Sequence, residues 1–171
     1  MIYKLLPFII VFSTCAWFLG IVYYLKKNIK GESFSSINQK KRDMGLDMYL
    51  TRVEKDYNGN ETTSDVGYWR KANAIHNWFV NELADGVDEC QEIEVTMEDL
   101  HRLRDLCKKI LETRNSKEAQ EKLPTVRGFF FGTTDYDDNY WYDLEKTALI
   151  VDYLDYMSSY RHKGFIYQAS W

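Results

Sequence analysis

At 171 residues, 28% of them charged and with a mean hydropathy of −0.47, the chain has room for one domain plus an appendage, and most of it is built for water. A net charge of −4 excludes a general attraction to nucleic acid, and no nucleic-acid partner is expected. Cys15, Cys90 and Cys107 are odd in number and lack paired-motif spacing, which argues against a disulfide framework and a zinc site and fits a reducing compartment.

The first element is Leu5 to Leu25, a run of 21 residues without a charge. As a helix it spans the ~30 Å hydrocarbon core of a bilayer, with Tyr23 and Tyr24 at the height of an interfacial belt. It is too long for the apolar part of a signal peptide, and no small-x-small cleavage site follows it at once. Only Lys4 and the amino terminus precede it, whereas Lys26, Lys27, Lys30, Lys40, Lys41 and Arg42 follow. The positive side tends to stay inside, so the N-terminus is expected outside and the C-terminal domain in the cytoplasm of a single-pass membrane protein. The expected division is a transmembrane anchor over 1–27, a basic polar linker over 28–43 and a cytosolic α+β domain over 44–171.

Within that domain, Met44 to Lys55 alternates apolar and polar residues and reads as a short strand. Asp56 to Asp65 is turn-rich, with an Asn58-Gly59 turn signal. Tyr68 to Leu83 reads as one helix: Trp69, Ala72, Ile75, Phe79 and Leu83 recur at spacings of three and four, Asp65 is the nearest N-cap and Gly86 lies just beyond the end. Cys90 to Val95 is a second candidate strand. Thr96 and Asp99 form a capping box with Asp in place of Glu, opening a helix with Leu100, Leu103, Cys107, Ile110 and Leu111 on one face.

Asn115 to Gly132 reads as a loop containing the burst Phe129-Phe130-Phe131. Asp137 or Asp138 starts the last helix, with Tyr140, Leu144, Ala148, Val151 and Leu154 buried and Asp143, Asp152 and Asp155 solvated; Gly164 stops it and Phe165 to Trp171 closes the chain as a strand. The fold class is therefore α+β, a small single domain of about three helices with two or three short strands, preceded by one transmembrane helix.

The stretches MGLDMYL (44–50), YWRKANAIHNWFV (68–80), GVDEC (86–90), DLCKK (105–109), LPTVRGFFFGTTDYDD (123–138) and YQASW (167–171) together resemble a family of small uncharacterised proteins encoded by bacteriophages and prophages. The resemblance covers most of 44–171 and implies a phage or prophage origin and a bacterial cytosol. It carries over no activity. Members of that family often begin at the methionine of MGLDMYL, so residues 1–43 are either an added anchor or lie upstream of a start at Met44.

Candidate chemistry centres on two places. His76 is a possible base with Asp88, Glu89, Asp135 or Asp137 as its orienter; the structural alternative is a half-buried histidine bonded to backbone. Asp135, Asp137, Asp138 and Asn139 invite a metal, but Tyr140 and Lys146 stand where a calcium loop needs glycine and glutamate. The acids suit a helix start better, although a magnesium or calcium site that draws on other groups stays open. Trp69, Arg70, Asn73, His76, Tyr136 and Trp141 are the expected ligand-binding set, since stacked aromatics and a guanidinium grip planar or anionic groups; the alternative is a tryptophan-rich core. No phosphate loop, nucleophile elbow or zinc-helix motif is present. The sequence thus favours a non-enzymatic, membrane-anchored accessory module that binds a small ligand or a host protein. It calls for no cofactor or metal, and its bilayer partner is reached through Leu5 to Leu25. A small hydrolase or transferase using His76 with a carboxylate from Asp135–Asp138, and a structural self-associating membrane protein, are the alternatives.

Overall fold

The computed structural model describes residues 45–55, 58–157 and 162–171, all within a single unit, Asp43–Trp171. The Leu5–Leu25 run and the basic linker lie outside the described residues. Among the described residues, no helix is long and apolar enough to cross a membrane.

Strand β1 (Asp47–Lys55) follows the expected alternation, with Met48 and Leu50 fully buried and Tyr49 exposed. Strand β2 (Glu61–Arg70) returns antiparallel to it, pairing Tyr49 with Tyr68 and Met48 with Trp69. Gly59 sits in the connection at φ +86°, where a side chain is disfavoured. This strand corrects the helix expected over Tyr68–Leu83. Gly67 and Trp69 face inward while Tyr68 and Arg70 face outward, a period of two. The three-residue step from Trp69 to Ala72 mimics a helical spacing across a sharp turn at Lys71, which has φ +60°. Asp65 consequently caps nothing; it lies in β2 and accepts a 3.0 Å hydrogen bond from Thr51 Oγ1.

Helix α1 therefore begins later, at Asn73, and runs to Leu83. Strand β3 is reduced to Ile93–Val95, and helix α2 occupies Met97–Thr113. The capping box at its start is formed: Asp99 N donates to Thr96 Oγ1 (3.1 Å) and Thr96 N donates back to Asp99 Oδ2 (2.9 Å). The segment expected as loop from Asn115 contains a further helix, α3 (Ser116–Lys122), capped by the Asn115 side chain, which accepts from Lys117 N and Glu118 N. Its residues are strong helix formers with little apolar periodicity, because only Ala119 is buried.

Helix α4 (Asp138–Met157) buries the expected stripe from Tyr140 to Leu154. It ends at Met157, and Gly164 lies inside strand β4 (His162–Ser170) rather than stopping the helix. The described residues thus form four helices and a four-stranded antiparallel sheet in the order β2-β1-β4-β3. The class is α+β, with one helix and at least one strand more than the sequence suggested.

Helices cover one face of the sheet. Trp69, Phe79, Phe165 and Tyr167 meet in the core beneath them, and the Phe79 and Tyr167 rings stack at 4.0 Å and 11°. Helix α4 packs on α2, and the outer rims of this pair are laced by Lys108–Asp152, Arg104–Asp155 and His101–Asp155 ion pairs. Such exposed pairs are each worth about 1 kcal/mol or less.

Candidate functional site

The structure disperses the expected binding set. Trp69 is 1% exposed, and its indole N–H donates to Thr147 Oγ1 at 2.9 Å. Trp141 lies in the core edge-on to Tyr140 at 5.0 Å. Arg70 faces outward on the other side of β2, 3.5 Å from Asp47 Oδ1. Tyr68 Oη donates to that same carboxylate at 2.6 Å, and the tyrosine is pushed up to about 12 by burial and by its bond to Asp47.

His76, on the buried side of α1, is 2% exposed. Nδ1 lies 2.7 Å from Tyr167 Oη and Nε2 lies 3.0 Å from Asp88 Oδ2, so both ring nitrogens are engaged. Its carboxylate partner is Asp88, one of the four orienters weighed, while Asp135 and Asp137 serve elsewhere. Phe131 packs edge-on to the imidazole at 5.4 Å and Trp171 lies 5.7 Å away. Burial raises the Tyr167 hydroxyl well above its ordinary value, with the Asp88 charge adding to it. The arrangement pins α1 to β4 and leaves the imidazole no free nitrogen facing solvent.

Asn73 opens α1 and is equally buried. Its amide donates to Phe131 O (3.1 Å) and Thr133 O (2.7 Å), and its Oδ1 accepts from Val126 N (3.2 Å). One side chain thus holds both limbs of the 123–136 loop over the start of the helix. Tyr136 and Tyr140 tighten the same loop: Tyr136 Oη accepts from Thr125 N at 3.4 Å, and Tyr140 Oη donates to Leu123 O at 3.0 Å. Asp137 accepts from Asn139 N (2.9 Å) and Tyr140 N (3.2 Å), so it caps α4, and these bonds help hold its carboxyl below the usual range. Among the described residues, no three His, Cys, Asp or Glu side chains are grouped to hold a metal ion.

The loop and the two helix starts enclose a small cleft of about 30 Å³, partly open to solvent, lined by Lys71, Asn73, Thr125, Asp135, Asn139 and Asp143 among others. Ala72 occupies the cap position of α1 without any side-chain cap bond, and the backbone of the first turn forms one wall. Asp143, expected on a solvated face, is instead half-buried here. Burial pushes its carboxyl up from 3.8 to about 7; Lys146 opposes this and Asp137 adds to it. Burial also lowers the Lys146 amine. Of the residues weighed for a site, Asn73, Asp135 and Asn139 reach this cleft; Lys71 was missed, and Asp143 was placed on a solvated helix face. The three acids Asp135, Asp137 and Asp138 drew attention to that turn, whereas Asp143 looked like an ordinary acid on an amphipathic helix.

No family model, no curated protein and no solved structure matches the chain.

Proposed function

We propose that the chain is a membrane-tethered binding module, without catalysis, that takes a small polar ligand in the cleft between α1, the 123–136 loop and α4. The observation that carries this reading is Asp143. Its carboxyl is half-buried in a cleft, is held near neutrality by burial, and receives no side-chain hydrogen bond among the described residues. A donor group on a ligand would satisfy it, while Lys71 and the uncapped first turn of α1 favour an acceptor or anionic group at the other end. The tether is the Leu5–Leu25 run, with the folded domain on the cytoplasmic side as the flanking charge directs. The resemblance to phage and prophage proteins supports a cytosolic setting for this domain.

His76 does not suit the role of a base in a hydrolase or transferase, because both its nitrogens are bonded and its ring is buried. The reading is tested by a thermal-shift screen of small polar metabolites on the full chain in detergent. A true ligand raises the unfolding temperature with concentration, by mass action. The shift shrinks in Asp143→Asn and stays in His76→Gln. A shift that is indifferent to both Asp143→Asn and Lys71→Ala places the ligand elsewhere and sinks the cleft reading.

A further inference from the structure

The Phe129-Phe130-Phe131 burst splits in an unusual way. Phe131 turns inward, 5% exposed, against His76 and Trp171. Phe129 and Phe130 turn outward, 79% and 37% exposed, with their rings paired edge-on at 4.3 Å. A short turn closed by Phe131 N to Gly128 O (3.3 Å) makes the reversal, and a Cβ on Gly128 would fall 2.4 Å from the Phe131 ring. Phe130 is held at φ +71°, a backbone conformation that a bulky side chain avoids. Folding gains little from displaying two phenyl rings on such a turn, so the display calls for a partner outside the domain.

The surroundings of the tip indicate which partner. Arg127 and Lys71 are exposed on either side of it and make no ion pair among the described residues. Asp47, the acid adjoining this edge, is already engaged by Arg70 and Tyr68 Oη. The tip is thus flanked by two cations on a chain whose net charge is −4, with Asp135 lining the same cleft as Lys71. It is also where the polypeptide enters the domain: Leu46 N donates to Phe130 O (3.4 Å), and Leu46 O accepts from Lys71 N (2.8 Å). Lys40, Lys41 and Arg42 stand a few residues upstream in the sequence. Aromatic rings flanked by cations suit the headgroup boundary of an anionic bilayer, where rings sit at the acyl edge and cations meet phosphates.

We propose that Phe129 and Phe130 form a bilayer-docking tip, which enters the headgroup region of an anionic membrane with Arg127 against its phosphates. The proposal rests on the tether reading for its geometry, since a linker that starts at the membrane raises the local concentration of lipid at this edge. Docking would orient the domain and set the mouth of the 123–136 loop near the membrane surface.

The test uses the full chain reconstituted into vesicles of phosphatidylcholine, with or without phosphatidylglycerol, and reads trypsin cleavage after Arg127 in outward-facing domains. Docking slows that cleavage about tenfold in phosphatidylglycerol vesicles relative to phosphatidylcholine alone. Phe129→Ser with Phe130→Ser abolishes the protection, whereas Phe129→Leu with Phe130→Leu keeps it, which separates docking from a collapsed loop. Equal cleavage of the wild-type and serine chains in phosphatidylglycerol vesicles overturns the proposal. Protection confined to native membrane preparations overturns it too, in favour of a protein partner. Alkaline carbonate extraction reads the tether separately. If the chain is extracted, the tether reading fails, and flotation decides the tip: wild type floats with phosphatidylglycerol vesicles and the serine chain does not, or the two behave alike and the tip reading fails as well.

Discussion

Tyr167 Oη and His76 Nδ1 lie 2.7 Å apart in the core, joining the last strand to the first helix of the domain. With Asp88 on the other ring nitrogen, the histidine is fully used by its neighbours. Tyr167→Phe keeps the stack on Phe79 but leaves Nδ1 without its partner. It should destabilise the domain by about 1–3 kcal/mol, the usual cost of a stranded buried polar atom. Urea unfolding of the variant measures this directly, and an unchanged midpoint with an unchanged slope would show the bond to be dispensable.

Trp69 and Thr147 make a similar buried pair between β2 and α4. The Thr147 hydroxyl also donates to Asp143 O at 2.7 Å, so it accepts one hydrogen bond and donates another. Thr147→Val fills the same space and strands the indole N–H, with an expected loss of about 1–3 kcal/mol; Thr147→Ser should recover most of it. Tryptophan fluorescence followed through thermal unfolding distinguishes the two variants.

Asp143 sets a pH dependence whose sign follows from the direction of its shift. Its folded value, about 7, exceeds the ordinary 3.8 because burial disfavours the charge. Between these values the folded chain holds more protons than the unfolded one, so this group's contribution to stability is complete below about pH 4 and is lost as pH rises toward about 7. At roughly 1.4 kcal/mol per unit, the total is a few kcal/mol. Asp143→Asn removes the effect: relative to wild type it should gain stability progressively between about pH 4 and pH 7, read as a difference of unfolding midpoints. A constant difference across that range would mean that the carboxyl ionises normally.

Gly128 is held small by contact. A methyl group there meets the Phe131 ring at 2.4 to 2.7 Å, too close for any relaxation confined to side-chain tips. Gly128→Ala should expel Phe131 from its place beside His76 and cost about 2 kcal/mol or more, in the range of overpacked sites. Limited proteolysis across 123–136 should accelerate with it, whereas Gly59→Ala in the β1–β2 connection, where a Cβ would meet only Lys55 Cε at 3.7 Å but φ is +86°, should leave that loop untouched.

Much of the domain is written locally in its sequence. The Thr96–Asp99 box, the buried stripe of α4 and the alternation of β1 each depend on residues within a few positions of one another, so each was legible before any fold was known. The uncharged leader and its basic flank are likewise properties of the chain alone, and they ground the tether proposal.

Tertiary structure decided the rest. Trp69 satisfies a helical spacing and a strand alternation equally well, and only pairing with Met48 across the sheet commits it to β2. Asn115 to Lys122 lacks an apolar stripe because a single alanine is buried, so its helix rests on a cap and on propensity. Whether His76 is a base or a pin depended on which groups reached its two nitrogens, Tyr167 at 91 residues' separation and Asp88 at 12. Asp143 became a candidate only because the loop held by Asn73 lies beside the start of α4 and half-buries it in the cleft. Short-range patterns specify elements, whereas burial and partnership are set by contacts between residues far apart in the chain, and those contacts decide what a polar side chain can do.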